Sequence, residues 1–331
     1  MPITLEQAKV GLADKIDQTV IDEFRRDSFI LDKLTFDNAV SPGTGGSTLT
    51  YGYTQLLTPS VAEGRKINSE YTAGEALRTT KAINLKIFGG AFEVDRVLEA
   101  TAAKSEISFQ LQQKSKAVAN KFHYDFINGK STAKGKADTD TTPFDGLDVL
   151  CTGLSTEYKP AEAIDLSTAE AIKTNAEAFT FELDTWLSTL SQKPDALLVN
   201  SKMATALKHI AKIMGYYTRS ESAFGKGIDN YDGIAIIDMG KYYNGTSKAT
   251  EDVVAIDSKT GTSSIYAVCF GLDALHAVSP KGAKIINTYL PNLSEPGAVK
   301  KGEVEMVAGI VLKDSTKAGV FRNIQVAAAT A

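Results

Sequence analysis

The chain is poor in the residues that usually carry chemistry. Its 331 residues include only two cysteines and three histidines. Cys151 and Cys269 stand far apart in sequence, which makes neither a disulfide framework nor a zinc site. They read as buried free thiols in a reducing compartment. None of His123, His209 and His276 has a metal-ligand companion three or four residues away, so each reads as structural or surface. A basic surplus is missing too: the net charge is −4, which does not point to nucleic acid as a directly gripped ligand. No uninterrupted apolar run approaches membrane-spanning length, so no membrane partner is expected. The first residues lack the basic start and apolar stretch of a secretion signal, and Glu6 and Asp14 argue against a transit peptide. The chain is expected to be cytosolic when made.

Catalytic patterns fail on spacing. Gly129-Lys130-Ser131 has the tail of a phosphate loop, but Tyr124 sits where its first glycine belongs, and the segment follows a helix pattern instead of a strand. Asp138-Thr139-Asp140 has Pro143 in place of the glycine of a calcium loop, and in Asp229 to Gly233 Tyr231 occupies a ligand position. No serine lies in a nucleophile elbow. Asn244-Gly245-Thr246 matches a glycosylation acceptor, which has no meaning in a cytosolic chain. No catalytic, cofactor or metal site is expected. An enzymatic reading would need a cytosolic α+β enzyme whose site cannot be read from the sequence.

What is present is the make-up of an ordinary globular protein, 43% hydrophobic and 23% charged, in a chain long enough for one large domain or two smaller ones. The stretch from Phe92 to Asn128 organises the rest. Phe92, Val94, Val97, Leu98, Ala102, Phe109, Val118, Phe122 and Phe126 recur at steps of about three and four, which predicts one long helix. Asn128-Gly129 is expected to stop it through left-handed backbone. Ile107, Phe109 and Leu111 alternate with period two, so a break near Glu106 is also consistent with the pattern.

Ahead of that helix, residues 3–34 form a broken amphipathic stripe that must lie on its own domain or on a neighbouring subunit. Pro42 to Gly90 is extended and glycine-punctuated. Thr48 to Thr54 and Leu77 to Phe88 alternate as strands around a polar tip, and an isolated hairpin of this kind needs something to pack against. That support is most simply another subunit. After the helix, Lys130 to Thr142 reads as an exposed loop, and Ser167 to Leu190 as one or two helices. Pro194 to Asn200 reads as a buried strand, with Ser201 capping a helix through about Met214. Gly215 to Asp229 reads as a surface loop, and strands are expected at Ile234 to Asp238, Val253 to Ile256 and Ser264 to Phe270. Lys284 to Tyr289, Val304 to Leu312 and Phe321 to Val326 alternate well. There is no internal repeat and no strict βαβ alternation.

This succession resembles the major capsid proteins of tailed bacteriophages, whose fold is shared with encapsulin shells and the herpesvirus capsid floor. Leu5 to Phe36 looks like that family's N-terminal arm, Gly46 to Gly90 like its extended loop, and Ala91 to Arg96 like the start of its spine helix. Pro194 to Ile210, Tyr231 to Asp238 and Cys269 to Ala274 resemble phrases of its axial domain, and Val304 to Asp314 looks like the long closing strand of its peripheral domain.

The resemblance implies an α+β fold with N-terminal arm, extended β-hairpin loop, long spine helix, peripheral domain and axial domain. Along the chain these would be an arm at 1–41, the loop at 42–90, the spine helix and first part of the peripheral domain at 91–150, the axial domain at 151–280 and closing peripheral strands at 281–331. It implies a non-enzymatic subunit that assembles with itself into pentamers and hexamers of an icosahedral shell around double-stranded DNA. DNA would be contacted without sequence specificity, and the shell would form in the host bacterial cytoplasm and end in the virion. Further implied partners are a portal, decoration proteins and a separate scaffolding protein, the last because the chain starts almost directly on the arm. Arg65, Lys66, Glu70, Arg78, Lys81 and Arg96 are the candidates for intersubunit ion pairs, against the alternative that each is merely solvated. Lys66, Lys81 and Asn323 are of the type that cross-links some members covalently, but nothing in the sequence pairs them and no such bond is expected. An encapsulin-type compartment shell is the alternative within the fold.

Overall fold

A computed structural model describes residues 29–40, 49–58, 60–102, 105–132, 143–215, 218–221, 227–245, 247–280 and 287–329. The described chain begins with α1 (Phe29–Lys33), β1 (Phe36–Val40), β2 (Thr50–Thr58), β3 (Leu77–Asn84), β4 (Lys86–Asp95), α2 (Arg96–Thr101) and α3 (Glu106–Asn128). It continues through α4 (Leu147–Cys151), β5 (Glu157–Tyr158), β6 (Ile164–Asp165), α5 (Ala169–Leu187), β7 (Ala196–Val199), α6 (Ser201–Ile213), β8 (Thr218–Glu221), β9 (Gly227–Tyr231) and β10 (Ile234–Asp238). It ends with β11 (Lys241–Asn244), β12 (Ala249–Asp252), β13 (Thr262–Val268), β14 (Leu275–Pro280), β15 (Asn287–Tyr289), β16 (Val299–Leu312) and β17 (Ala318–Gln325).

Two sheets carry the molecule. β16 is the axis of a five-stranded sheet, with 14 residues in one strand. Its first part pairs antiparallel with β4, from Val299 opposite Asp95 to Ala308 opposite Lys86, and its last residues pair with β14, which in turn holds β1 in parallel. The second sheet has eight strands, in the order β5, β17, β13, β7, β10, β9, β8, with β6 also on β17. Period-two alternation, shifted by a bulge between Phe321 and Ile324 of β17, gives each of its central strands two faces. Leu197 and Val199, Ile265 and Ala267, and Phe321 and Ile324 turn toward α5 and α6, whose Phe179, Leu183, Trp186, Met203 and Leu207 complete one core. Ala196 and Leu198, Tyr266 and Val268, and Ala318 and Val320 turn the other way, into the core shared with α3 and the five-stranded sheet.

The long helix is shorter than its periodicity suggests. Phe92 and Val94 are buried residues of β4, and they alternate with Ala91 and Glu93 along the ladder to β16. Asp95 then caps α2 by accepting from the Val97 amide at 2.8 Å, and the helical path breaks after Thr101. α3 starts at a new cap, Ser105, and Glu99 reaches across the break to accept from the Ser105 hydroxyl at 2.7 Å and the Ile107 amide at 3.0 Å. With 23 residues it is about 35 Å long. Two signals, a strand of period two and a helix of period 3.6, had merged into one apparent stripe. The stop also differs: Gly129 has φ −58°, and a methyl group there would collide with the carbonyls of Phe144 and Asp125. Close approach, not left-handed backbone, requires the glycine.

Other expectations shift as well. Asn200, not Ser201, caps α6, accepting from the Met203 amide at 2.9 Å. Val253 and Val254 form no strand; they are buried side chains at a bend after β12, so their apolarity reports burial alone. Part of the expected 215–229 loop is the β8–β9 hairpin, and β9 turns into β10 at Asp232-Gly233, both with positive φ (44° and 76°) as a two-residue hairpin turn demands. β17 pairs with β13 in the eight-stranded sheet, while β14, ahead of residue 281, joins the five-stranded one. Sheet membership here follows the hydrogen-bonding partner rather than chain order. At the N-terminal side, Ile30 and Leu34 bury in the chain's own main core. The expectations for residues 3–28, 42–48, 133–142 and 281–286 lie outside the described residues.

Candidate assembly surface

β2 and β3 form a two-stranded sheet of their own, running from Thr50 opposite Asn84 to Thr58 opposite Leu77. Beyond them every residue from 60 to 76 is exposed and none is in a strand or helix. Among the described residues the tip is held only by itself. The Ser69 amide and hydroxyl both donate to the Lys66 carbonyl, at 3.2 and 2.9 Å, around Asn68 in left-handed backbone. Arg65 donates from Nη1 to the Ser69 carbonyl at 3.1 Å, and its guanidinium lies 5.3 Å from the centre of the Tyr71 ring. Large apolar side chains stand in water here: Ile67 is 91% exposed, Val61 77% and Tyr71 64%. Exposed apolar groups clustered on a segment without a core of its own mark a surface built to be covered.

The six charged candidates do not converge. Arg65, Lys66 and Glu70 share the tip, and Arg65 is already engaged with Ser69 and Tyr71. Arg78 and Lys81 lie on β3, three residues apart and hence on opposite faces, opposite Leu56 and Tyr53. Arg96 opens α2; its amide donates to the Ala298 carbonyl at 2.9 Å, and it lines a shallow cavity of about 420 Å³ with Val97, Glu99, Ala100 and Leu293. None of the six forms an ion pair with another described residue. Attention to charge overlooked Val61, Ile67 and Tyr71, whose signal was apolar bulk without any period in a polar stretch.

The root of the loop is anchored more firmly than its tip. β4 continues from the hairpin into the long ladder with β16. Farther in, Arg322 ties β17 of the eight-stranded sheet to β5 and α4. Its Nε donates to Glu157 at 2.5 Å, Nη1 to Asp148 of α4 at 2.7 Å and Nη2 to the Thr152 hydroxyl at 2.8 Å, while the Tyr266 hydroxyl donates to Asp148 at 3.2 Å. Burial alone would push the Asp148 carboxyl up, but hydrogen bonds and charge from Arg322 outweigh it and hold the group below the usual carboxylate range. Glu157 is held low in the same way, with the Gly153 amide as a further donor.

Nothing in this arrangement activates a nucleophile. Cys151, next to the arginine cluster, has its thiol pushed up to about 12 by burial. Among the described residues no cluster of three or more His, Cys, Asp and Glu side chains is placed to hold a metal ion. A cleft of about 710 Å³ lies between the start of α5, one face of α6 and residues 326–328; of its lysines, Lys208 is held by Asp229 at 2.9 Å. Asn323, in left-handed backbone, donates to the Pro160 carbonyl at 3.1 Å.

The architecture has relatives. The holo-SrpI encapsulin complex of Synechococcus elongatus PCC 7942 matches with a TM-score of 0.63 at 12% identity, covering 99% of each chain. A structure from Mycobacterium phage Cain matches at 0.55 and 11%, covering 99% of this chain and 100% of that one. The capsid of a native GTA particle matches at 0.55 and 10%, covering 95% of each. At such identities the likeness shows the fold. No curated protein matches the sequence. The family model described as SU10 major capsid protein matches residues 24–262, well over half of the chain. The chain therefore belongs to the SU10 major capsid protein family: it is a tailed-phage shell subunit, found in the virion and assembled with many copies of itself.

Proposed function

We propose that the subunit forms pentamers and hexamers that close an icosahedral shell around double-stranded DNA. The observation that carries this reading is the loop at 60–76, exposed at every residue and bearing Ile67, Val61 and Tyr71 without a core to receive them. A neighbouring subunit supplies that core, so that the loop (42–90) and the part of the arm (1–41) ahead of Phe29 clasp adjacent copies, the spine and first peripheral part (91–150) with β14 to β16 form the wall, and the rest of 151–280 with β17 gathers near the axes. Arg65, Lys66, Glu70, Arg78, Lys81 and Arg96 then find their ion pairs across subunit boundaries. Their lack of such pairs within the described chain supports this role.

The work of such a protein is geometric and not catalytic. DNA contact is non-specific and weak, in keeping with the net charge of −4. Assembly takes place in the host cytoplasm with a separate scaffolding protein, and a portal and decoration proteins complete the particle. The encapsulin-type reading rests on fold likeness alone, whereas the family match is to a capsid protein. Negative-stain electron microscopy of the purified protein, alone and with a crowding agent, tests the proposal. Closed shells, tubes or five- and six-fold rings are expected; a compact monomer or dimer under every condition would overturn it.

A further inference from the structure

One buried group on the loop-facing side of the five-stranded sheet has no role in the fold as described. His276 of β14 is fully buried, and neither ring nitrogen meets a hydrogen-bond partner. Its strand neighbours Leu275 and Ala277 point into the main core, while Val278 joins Val311, Tyr53 and Leu85 on the opposite face. There β16 places Val311 beside His276, and Tyr51 of β2 meets the imidazole edge-on, with ring centres 6.3 Å apart at 83°. The ring thus sits under the base of the extended hairpin.

A buried polar group without a partner is destabilising and needs a reason. Four other groups lie near enough to act on this ring, though none completes a hydrogen bond with it. Asp37 of β1 accepts from the Tyr51 hydroxyl at 3.2 Å; Lys313 follows β16; Asp273 and the Ala274 carbonyl precede β14. Burial, then the Lys313 charge, hold the imidazole below its ordinary range, outweighing the weaker pull of the Ala274 carbonyl, Asp37 and Asp273 in the other direction.

The cover above the ring is thin. Its fully buried members are few, and Tyr51, Ile83 and Val307 are only partly buried. β2 and β3 form no ladder with the five-stranded sheet. The hairpin is held there by side chains, among them Gln55, whose amide donates to the Leu312 carbonyl at 3.4 Å, and Tyr51 on Asp37.

We propose that His276 is an acid-sensitive latch for the base of the extended loop: the neutral ring seats beneath Tyr51, and the protonated ring favours a state in which the hairpin base has lifted and water reaches the imidazole. The sign follows from linkage. A ring that is harder to protonate when seated than when solvated adds to seating at pH above the free-imidazole range, near 6.5. That contribution falls as pH drops below this range, until the seated ring itself takes the proton.

Hydrogen–deuterium exchange on the full chain between pH 8 and pH 5, corrected for intrinsic exchange, tests the latch. The amides of β2 and β3 are expected to lose protection by up to about tenfold for each pH unit below the free-imidazole range, while those of α3 and β7 hold theirs. His276→Phe should keep hairpin protection flat across the same range. If that variant does not fold, Lys313→Gln decides: without the neighbouring cation the seated ring protonates more easily, so the pH-dependent loss becomes shallower. Hairpin protection in the wild type that ignores pH overturns the proposal. So does an unchanged loss in His276→Phe, or in Lys313→Gln where that is the variant measured.

Discussion

The two faces of β16 make the most instructive comparison in the molecule. On one face Val304, Met306, Ala308, Ile310 and Leu312 pack against α3 and the aromatic group of Phe88, Phe122, Phe126 and Phe144. On the other, among the described residues, Val307 and Val311 cluster with Tyr51, Tyr53, Ile83, Leu85 and Val278 around the orphaned His276. One strand therefore serves a permanent core and a light cover through alternate residues. Buried apolar area sets the difference, since each fully buried large side chain contributes about 1.5–3 kcal/mol. The helix side is the deeper core, and the loop side the lighter cover.

The sharpest way to break this contrast is to empty the helix side. Phe122→Ala removes a ring with no solvent exposure that touches Phe88, Phe126 and Phe144. A loss of about 3–5 kcal/mol is expected, read as a fall in the denaturation midpoint of the whole subunit. A loss below about 1 kcal/mol would mean that this core is not close-packed.

Arg322 comes next. Arg322→Met leaves Asp148 without its main partner and Glu157 with the Gly153 amide in a partly buried site, and about 1–3 kcal/mol of stability should go. The pH signature separates this from simple packing. Both carboxyls are held low in the folded state, so their contribution is full above the unfolded carboxylate range, near pH 4, and is lost as pH falls through the lower folded values. Urea midpoints measured from pH 7 to pH 2 should fall more steeply for the wild type than for the variant; parallel curves would refute the assignment.

On the loop side Tyr53→Ala should cost only about 1–2 kcal/mol, less than a ring in a full core, because the cover above it is thin. Its effect should be local: β2 and β3 amides lose exchange protection before α3 amides do. A global loss equal to that of Phe122→Ala would erase the distinction between the faces.

The same contrast explains what could be read from the sequence. Elements with one clean pattern, such as the continuous apolar run of β7 and the periods of β10 and α6, were legible because one property, burial, sets that pattern. The start of the spine was not, because Phe92 and Val94 at period two run straight into Val97 and Leu98 at helical spacing, and only the cap at Asp95 separates them. Val253 and Val254 misled for the converse reason, being buried at a bend. The Arg322 network was invisible, since Asp148, Glu157 and Arg322 meet only when β17 returns to β13. The loop was legible as an extended hairpin, but its charges drew notice ahead of Val61 and Ile67. Exposure of an apolar side chain is a property of the fold that no local pattern records.

The smallest effect on the fold should come from that loop, and it separates folding from assembly. Ile67→Ser alters a side chain 91% exposed, so subunit stability should stay within about 0.5 kcal/mol of wild type. If a neighbouring subunit covers Ile67, each contact loses about 1.5–3 kcal/mol of burial. A shell repeats that contact at every subunit, so a loss that is modest per copy should sharply raise the concentration needed to close a particle. Light scattering against protein concentration would show this, with thermal melts of the unassembled subunit unchanged. Equal assembly thresholds for Ile67→Ser and wild type would mean that the tip stays in water in the particle. The work of holding neighbours would then fall to the charged residues of β3 and α2.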